Sequence, residues 1–540
     1  MVCRFSLKRN NGFEWYCNEK VKARGYVICN NILYTNEEIL KCFEDVYSSR
    51  DLSVKLRNAN GQFAVIINLD NEVIAAVDNS RSIPLFYHEC LDTFVISDYI
   101  DESLFTLSEN SFCDVSINEF LQTGYVVGNH TLLKDFYQLS AGEYLVYNKK
   151  ENSYSISKYY VHKSDVKIEC AKQQHYKNLE KISIDVFTRL IKSLNGRTAV
   201  IPLSGGFDSR YIVSMLKKLN YENVICYTYG RSDSFEVDIS KKVADTLKYK
   251  WYFIKYDEES YNSLIKDKDF IDYFRFASNY SSLSHYQDLL AVKKLHEKKM
   301  IPPDSIFIPG FCGDLLGGSY LPQEILFKKD VSKIDICDYI FDRHFNLNYE
   351  IKEKYSNLVK TEIALTLKPY NYTNSEDSLV ATNDGWFTEH KASKFVVNAV
   401  RVFEYYGYEW RLPLWDCDLL NYWYSVPYNY KLVDNKLYND FLFDFLFIPY
   451  QIDFVKKFTS NKRDGIVRFV KMLLPLSLFC LYRKFFQYQS INKSVNSFQI
   501  LFNYWENEVG KNNKINFDQI NQIAAFWQLV KVYNFKENVY

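Results

Sequence analysis

The sequence predicts a two-part chain of mixed α/β and α+β class. A β-rich sandwich is expected over residues 1–165, and a parallel-sheet α/β domain over 166–540 that runs out into a helical, aromatic C-terminal part. Three observations carry this. The first part holds short β-branched and aromatic runs at 63–69, 73–77 and 94–96, separated by turn residues. After residue 170, single buried strands alternate with helical patterns, the signature of a parallel sheet with crossover helices. At one strand-to-helix junction stands the string Leu203-Ser204-Gly205-Gly206-Phe207-Asp208-Ser209.

Taken in order, 144–147 and 154–160 predict a hairpin across 148–152. Residues 198–203 predict a strand feeding a helix that carries Ile212, Met215, Leu216 and Leu219. A strand at 224–229, a helix bearing Phe235, Ile239, Val243 and Leu247, and a strand at 251–256 follow. The run 305–309 predicts another strand, ending in the glycine-rich loop Gly310-Phe311-Cys312-Gly313-Asp314-Leu315-Leu316-Gly317-Gly318. Ligands of such sheets bind at the carboxyl ends of the strands, which places the Ser204 turn and the 230–234 and 310–318 loops on one edge. Beyond 330 the pattern is helical, and no internal repeat or low-complexity linker interrupts it.

Composition narrows the function classes. Lys+Arg and Asp+Glu both number 66, so no dominant nucleic-acid-binding face is expected. The twelve cysteines contain no C-x-x-C pair and no signal peptide precedes them, which predicts reduced thiols in a cytoplasmic protein. The eight histidines show no zinc-ligand spacing. The longest apolar run, 472–482, is too short to span a bilayer and predicts a buried helix, so no transmembrane segment is expected. A homo-oligomer is compatible with the aromatic C-terminal helices.

The Ser204 turn is where chemistry is expected. A helix start gathers unpaired N–H groups at its positive end and so cradles an anion such as phosphate. Gly205 and Gly206 allow close backbone approach, Ser204 and Ser209 offer hydroxyls, and Asp208 places a carboxylate where a divalent cation would bridge to phosphate oxygens. The G-x-x-x-x-G-K-[ST] phosphate loop is a different device, and nothing here matches it.

The string resembles the pyrophosphate-binding loop of ATP pyrophosphatases, and the chain as a whole resembles the asparagine synthetase family. In the first part, Asn60-Gly61-Gln62-Phe63-Ala64, the stretch 78–87 (DNSRSIPLFY), Phe94-Val95-Ile96-Ser97-Asp98, Gly124-Tyr125 and Leu139-Ser140-Ala141-Gly142-Glu143 are similar to that family's segments. In the second, so are SGGFDS, the Gly310–Asp314 loop and Trp410-Arg411-Leu412-Pro413-Leu414-Trp415-Asp416. The stretch 386–416 looks more like relatives associated with cell-surface polysaccharide biosynthesis.

That resemblance implies an Ntn-hydrolase-like first domain and a Rossmann-like ATP pyrophosphatase domain. It implies an ATP- and Mg²⁺-dependent ligase that adenylates a carboxylate, releases pyrophosphate and passes the acyl group to ammonia or an amine. Leu203, Ser204, Gly205, Gly206, Phe207, Asp208 and Ser209 would hold the nucleotide with Thr228, Gly230 and Gly310, and Asp208 and Asp314 would hold the metal. A basic residue that steadies the adenylate is expected at Lys462 or Arg401, with Lys436 and Lys457 as further candidates. Ser284-His285-Tyr286-Gln287-Asp288 either lines the acceptor pocket or caps a helix.

Two departures shape the expectation. Glutamine-using members need a cysteine as first residue of the mature chain, whereas Val2 stands there and the cysteine is Cys3, so the first domain is expected to lack glutaminase activity. The Gly310 loop is one residue short and carries Leu315 where the family has an acid, which leaves Asp314 as its single carboxylate. The alternatives are the same nucleotide chemistry with another nucleophile, and a catalytically inactive scaffold that binds a partner.

Overall fold

The computed structural model describes residues 2–90, 92–100, 111–432, 436–454, 494, 496–510 and 517–535. The expectations at Lys457, Lys462 and 472–482 lie outside the described residues.

The first part is built of two sheets. One has strand order β1-β8-β7-β9, formed by β1 (Val2–Ser6), β7 (Phe86–Cys90), β8 (Thr93–Ser97) and β9 (Phe136–Gln138). The other runs β11-β10-β6-β5-β3-β2, with β4 also paired to β3. Its members are β2 (Trp15–Cys17), β3 (Val21–Cys29), β4 (Ile32–Thr35), β5 (Ala59–Asn68), β6 (Glu72–Val77), β10 (Glu143–Asn148) and β11 (Ser153–Lys158). The expected hairpin is β10–β11, antiparallel with Asn148 opposite Ser153. β3 and β5 are buried along nearly their whole length, because both faces are covered.

The second part holds a wholly parallel five-stranded sheet of order β14-β13-β12-β15-β16, made of β12 (Ala199–Pro202), β13 (Val224–Gly230), β14 (Lys250–Lys255), β15 (Ile306–Phe307) and β16 (Glu409–Trp410). Helices Phe207–Lys218 and Phe235–Leu247 are its first crossovers. β16 is a strand within the region expected to be mainly helical beyond 330; its two residues are too few to show a period and pair with β15 only through tertiary contact.

The two parts share a core. One hydrophobic cluster runs from Phe13 and Tyr26 through the parallel sheet to Trp527 and Tyr533. Phe13 meets Trp410 edge-on at 4.7 Å, and the buried Arg24 guanidinium reaches across to Glu404 at 2.6 Å. Among the described residues, no helix is long and apolar enough to cross a membrane.

Candidate functional site

β12 ends at Pro202, and the next four residues turn the chain into the helix Phe207–Lys218 with Gly206 as its N-cap. The turn is held by its own hydroxyls: the Ser204 N–H donates to Ser209 Oγ at 3.1 Å, and the Gly206 N–H to Ser204 Oγ at 3.1 Å. Arg210, fully buried, donates to the Gly205 carbonyl at 3.0 Å and to the Ile452 carbonyl at 2.9 Å, fastening the turn to a segment more than two hundred residues away.

The second glycine-rich loop closes on this turn. A Cβ on Gly310 would lie 3.0 Å from Asp208 Cβ, and a Cβ on Gly313 would coincide with the Asp208 carboxylate. Only glycine at 313 lets the two loops meet. Asp208 thereby comes near enough to Asp314 to feel its charge. Burial and the Asp314 charge push the Asp208 carboxyl up to about 7, against the opposing hydrogen bond from Tyr438, whose hydroxyl donates to Asp208 Oδ1 at 3.2 Å. Burial raises Asp314 too, opposed by Lys391 and by a hydrogen bond from Tyr320.

Such a pair suits a hard divalent cation, which takes carboxylate oxygens and relieves their mutual repulsion. Among the described residues no group of three or more His, Cys, Asp or Glu side chains gathers to hold an ion, so a cation held by Asp208 and Asp314 would draw its remaining ligands from phosphate oxygens and water.

Several of the expected residues are tied into the fold around the turn. Leu203 is buried, its N–H donating to the Tyr227 carbonyl at 2.8 Å. The Thr228 hydroxyl donates to the Leu203 carbonyl at 2.5 Å, lies 2.6 Å from Ser240 Oγ and accepts from Trp251 Nε1 at 3.2 Å. Phe207 packs edge-on to Phe443 at 5.4 Å. Gly230 ends β13 with φ of 129°. His285 bonds Asp288 at 2.7 Å, with its ring 6.4 Å from that of Phe311, so this group stands beside the Gly310 loop; Asp288 caps no helix with its side chain.

Arg401 is buried where the two parts join. It is 1% exposed, paired with Glu404, donating to the Ser82 carbonyl and lying over the Trp410 ring at 4.8 Å. Burial lowers its pKa to about 10 while Glu404 holds the charge in place. The cation serves the join between the two parts. A basic group whose charge acts on Asp314 is Lys391, over the Tyr320 ring at 5.5 Å and 3.4 Å from His344 Nδ1, with its pKa brought down to about 8 by burial and by Arg343, against Asp314. It belongs to the π-helix Phe387–Val396, whose wide turn distributes successive side chains as no 3.6-residue pattern would.

That π-helix also ties the site to the first part. Glu389 pairs with Lys158 of β11 and accepts from Tyr370 at 2.6 Å, while Lys394 donates to the Gly128 and Val126 carbonyls. Within the first part, Cys3 is an interior residue of β1 opposite Phe94, and burial pushes its thiol up to about 12. A thiol so disfavoured as thiolate, with its nitrogen in a strand peptide, has neither the acidity nor the free amine of an N-terminal nucleophile.

No family model matches the chain, and no curated protein matches it. Solved structures similar to it include an NH3-dependent NAD synthetase from Campylobacter jejuni, at 16% identity over 41% of this chain and 96% of that one, with a TM-score of 0.20. Another is a glutamine phosphoribosylpyrophosphate amidotransferase from B. subtilis, complexed with ADP and GMP, at 10% identity over 55% of this chain and 63% of that one, with a TM-score of 0.18. At these TM-scores the likeness assigns neither an overall fold nor an activity.

Proposed function

We propose that this chain is an ATP-dependent ligase that activates a carboxylate as its acyl-adenylate and transfers the acyl group to ammonia or an amine. The observation that supports the reading is the Asp208 carboxylate packed against Gly313, the neighbour of Asp314, at the start of the helix that follows the glycine turn. The N–H groups of the turn and the start of the helix Phe207–Lys218 would receive the departing pyrophosphate, which carries most of the developing charge. Asp208 and Asp314 would hold Mg²⁺, which when bound neutralises phosphate oxygens. Lys391 stands where a cation would steady the adenylated intermediate.

In the reaction, a substrate carboxylate oxygen bonds to the α-phosphorus and pyrophosphate leaves. The nitrogen then attacks the acyl carbon, AMP leaves, and the amine gives up one proton. The setting of Cys3 supports a nitrogen donor other than glutamine hydrolysed on this chain.

The test is pyrophosphate release from ATP and Mg²⁺ over a panel of carboxylates, with ammonia or with glutamine, on the wild type and on Asp208→Ala. Release that requires an acid, runs with ammonia and disappears in the variant supports the reading. Absence of ATP binding in the wild type would instead support a scaffold.

A further inference from the structure

A cleft of about 480 Å³ opens where the first part meets the helix Asp269–Ser278, on residues that the Asp208 site does not use. Its walls include Lys8, Arg9 and Tyr99 from the first part, and Arg275, Phe276 and Asn279 from the second. Arg9 stands shortly after β1, and Asn279 closes the helix in the left-handed region, with φ of 48°. Both are buried, at 8% and 4% exposed. The Asp98 carboxylate accepts from the N–H groups of Lys8 and Arg9, at 3.1 and 3.0 Å, and from Trp15 Nε1 at 2.7 Å, which pins the backbone at Arg9. The Arg9 guanidinium then lies over the Phe276 ring at 4.1 Å.

A guanidinium brings donors only, and an asparagine amide brings one acceptor oxygen and one donor nitrogen. Arg9 Nη2 donates to the Phe276 carbonyl at 2.6 Å and to Asn279 Oδ1 at 2.7 Å. The second bond consumes the acceptor of Asn279 and fixes which way its amide points, because the flipped amide would set donor against donor. Arg9 Nη1 and Asn279 Nδ2 are left buried with no hydrogen-bond partner, side by side with that bond at the floor of the cleft. Folded proteins rarely leave such groups unmade. Among the described residues no carboxylate pairs with the Arg9 side chain: Asp98 is engaged as above, and Glu404 is held by Arg24 and Arg401. Two orphaned donors, one of them on a cation, match an acceptor that has two oxygens and a negative charge.

We propose that Arg9 and Asn279 bind the carboxylate of a small organic acid whose body fills the cleft between the two parts. One carboxylate oxygen accepts from Arg9 Nη1 and the other from Asn279 Nδ2. The cleft is larger than a carboxylate group, and its remaining lining of Tyr99, Ile100 and Phe276 suits the carbon skeleton of such an acid. Lys8 and Arg275 also line it, with Asp272 as its acid, so the balance of charge favours an anion. Because Arg9 belongs to the first part and Asn279 to the second, an occupant holds the two together at a place separate from the nucleotide chemistry.

The experiment titrates the nucleotide-free, full-length protein into para-fluorobenzoate or fluoroacetate and follows the fluorine NMR signal, with para-fluorobenzamide as the uncharged probe of matching shape. Saturable binding of an acid and none of the amide is expected. Arg9→Met should weaken the acid by about 10–100-fold, the scale of losing a hydrogen bond to a charged group. Asn279→Asp guards against misfolding: its carboxylate still accepts from Arg9 Nη2 but puts a resident anion where the Nδ2 donor stood. Binding should therefore be lost in Asn279→Asp while the melting temperature does not fall. Lys391→Met should bind the acid as the wild type does. Failure of the wild type to bind either acid, equal binding of para-fluorobenzoate and its amide, or unchanged binding in Asn279→Asp would overturn the proposal. So would binding that disappears in Lys391→Met and persists in Asn279→Asp, since the probe would then sit at the Asp208 site.

Discussion

The Asp208 carboxylate occupies the space that a side chain at Gly313 would need. One residue from each of two loops, a hundred positions apart in sequence, thus defines a single volume, and the candidate metal site exists because one of them has no Cβ.

Gly313→Ala should therefore displace Asp208 and lower pyrophosphate release by about 100-fold, the scale of losing one preorganised electrostatic contact. Gly317→Ala is the comparison, because its Cβ would meet nothing closer than 3.6 Å. Steady-state assays of both variants check this, and equal losses would count against it.

Lys391→Met and Arg401→Met should fail in different ways. The first removes a cation beside Asp314 and is expected to cut turnover by about 100-fold with little change in melting temperature. The second leaves Glu404 with one fewer buried partner and should cost roughly 3–5 kcal/mol of stability. Thermal melts paired with pyrophosphate assays separate the two outcomes.

Thr228→Val deletes a hydroxyl that bonds the Leu203 carbonyl and receives Trp251 Nε1. Two buried groups lose a partner, so denaturant unfolding should show a loss of about 1–3 kcal/mol, and the Michaelis constant for ATP should rise as the turn behind Ser204 loosens.

His162 sets an acid limit to stability. Its ring is enclosed, 2.7 Å from the Asn79 carbonyl and 3.3 Å from the Tyr424 hydroxyl, and burial lowers its pKa from 6.5 to about 4. Between those values the unfolded chain binds a proton that the folded ring refuses, so stability should fall as pH drops from 6.5 to 4, by roughly 3 kcal/mol for this group. In His162→Gln the fall measured by urea titration should be shallower over the same interval.

The SGGFDS turn and the Gly310–Gly318 loop were legible in the sequence because strand, glycine and helix signals are local. So was the alternation that builds the parallel sheet. Lys391 was not legible, since the wider turn of a π-helix departs from the 3.6-residue period and the lysine's charge acts on Asp314, distant in sequence. The burial of Arg401 was not legible for the opposite reason. A cation in a helical run looks available until the strands that close over it are in place, although Glu404, three positions on, was the clue to an internal pair. The parallel sheet's fifth strand, Glu409–Trp410, escaped because a two-residue strand has no period at all.

The π-helix Phe387–Val396 gives the first 165 residues a role that survives the loss of any nucleophile. Glu389 finds its counter-charge on Lys158, and Lys394 lodges its ammonium on the carbonyls of Val126 and Gly128, while Lys391, between them on the same helix, faces Asp314. A chain cut to begin at residue 166 would leave an acid and a base without their partners, on either side of Lys391.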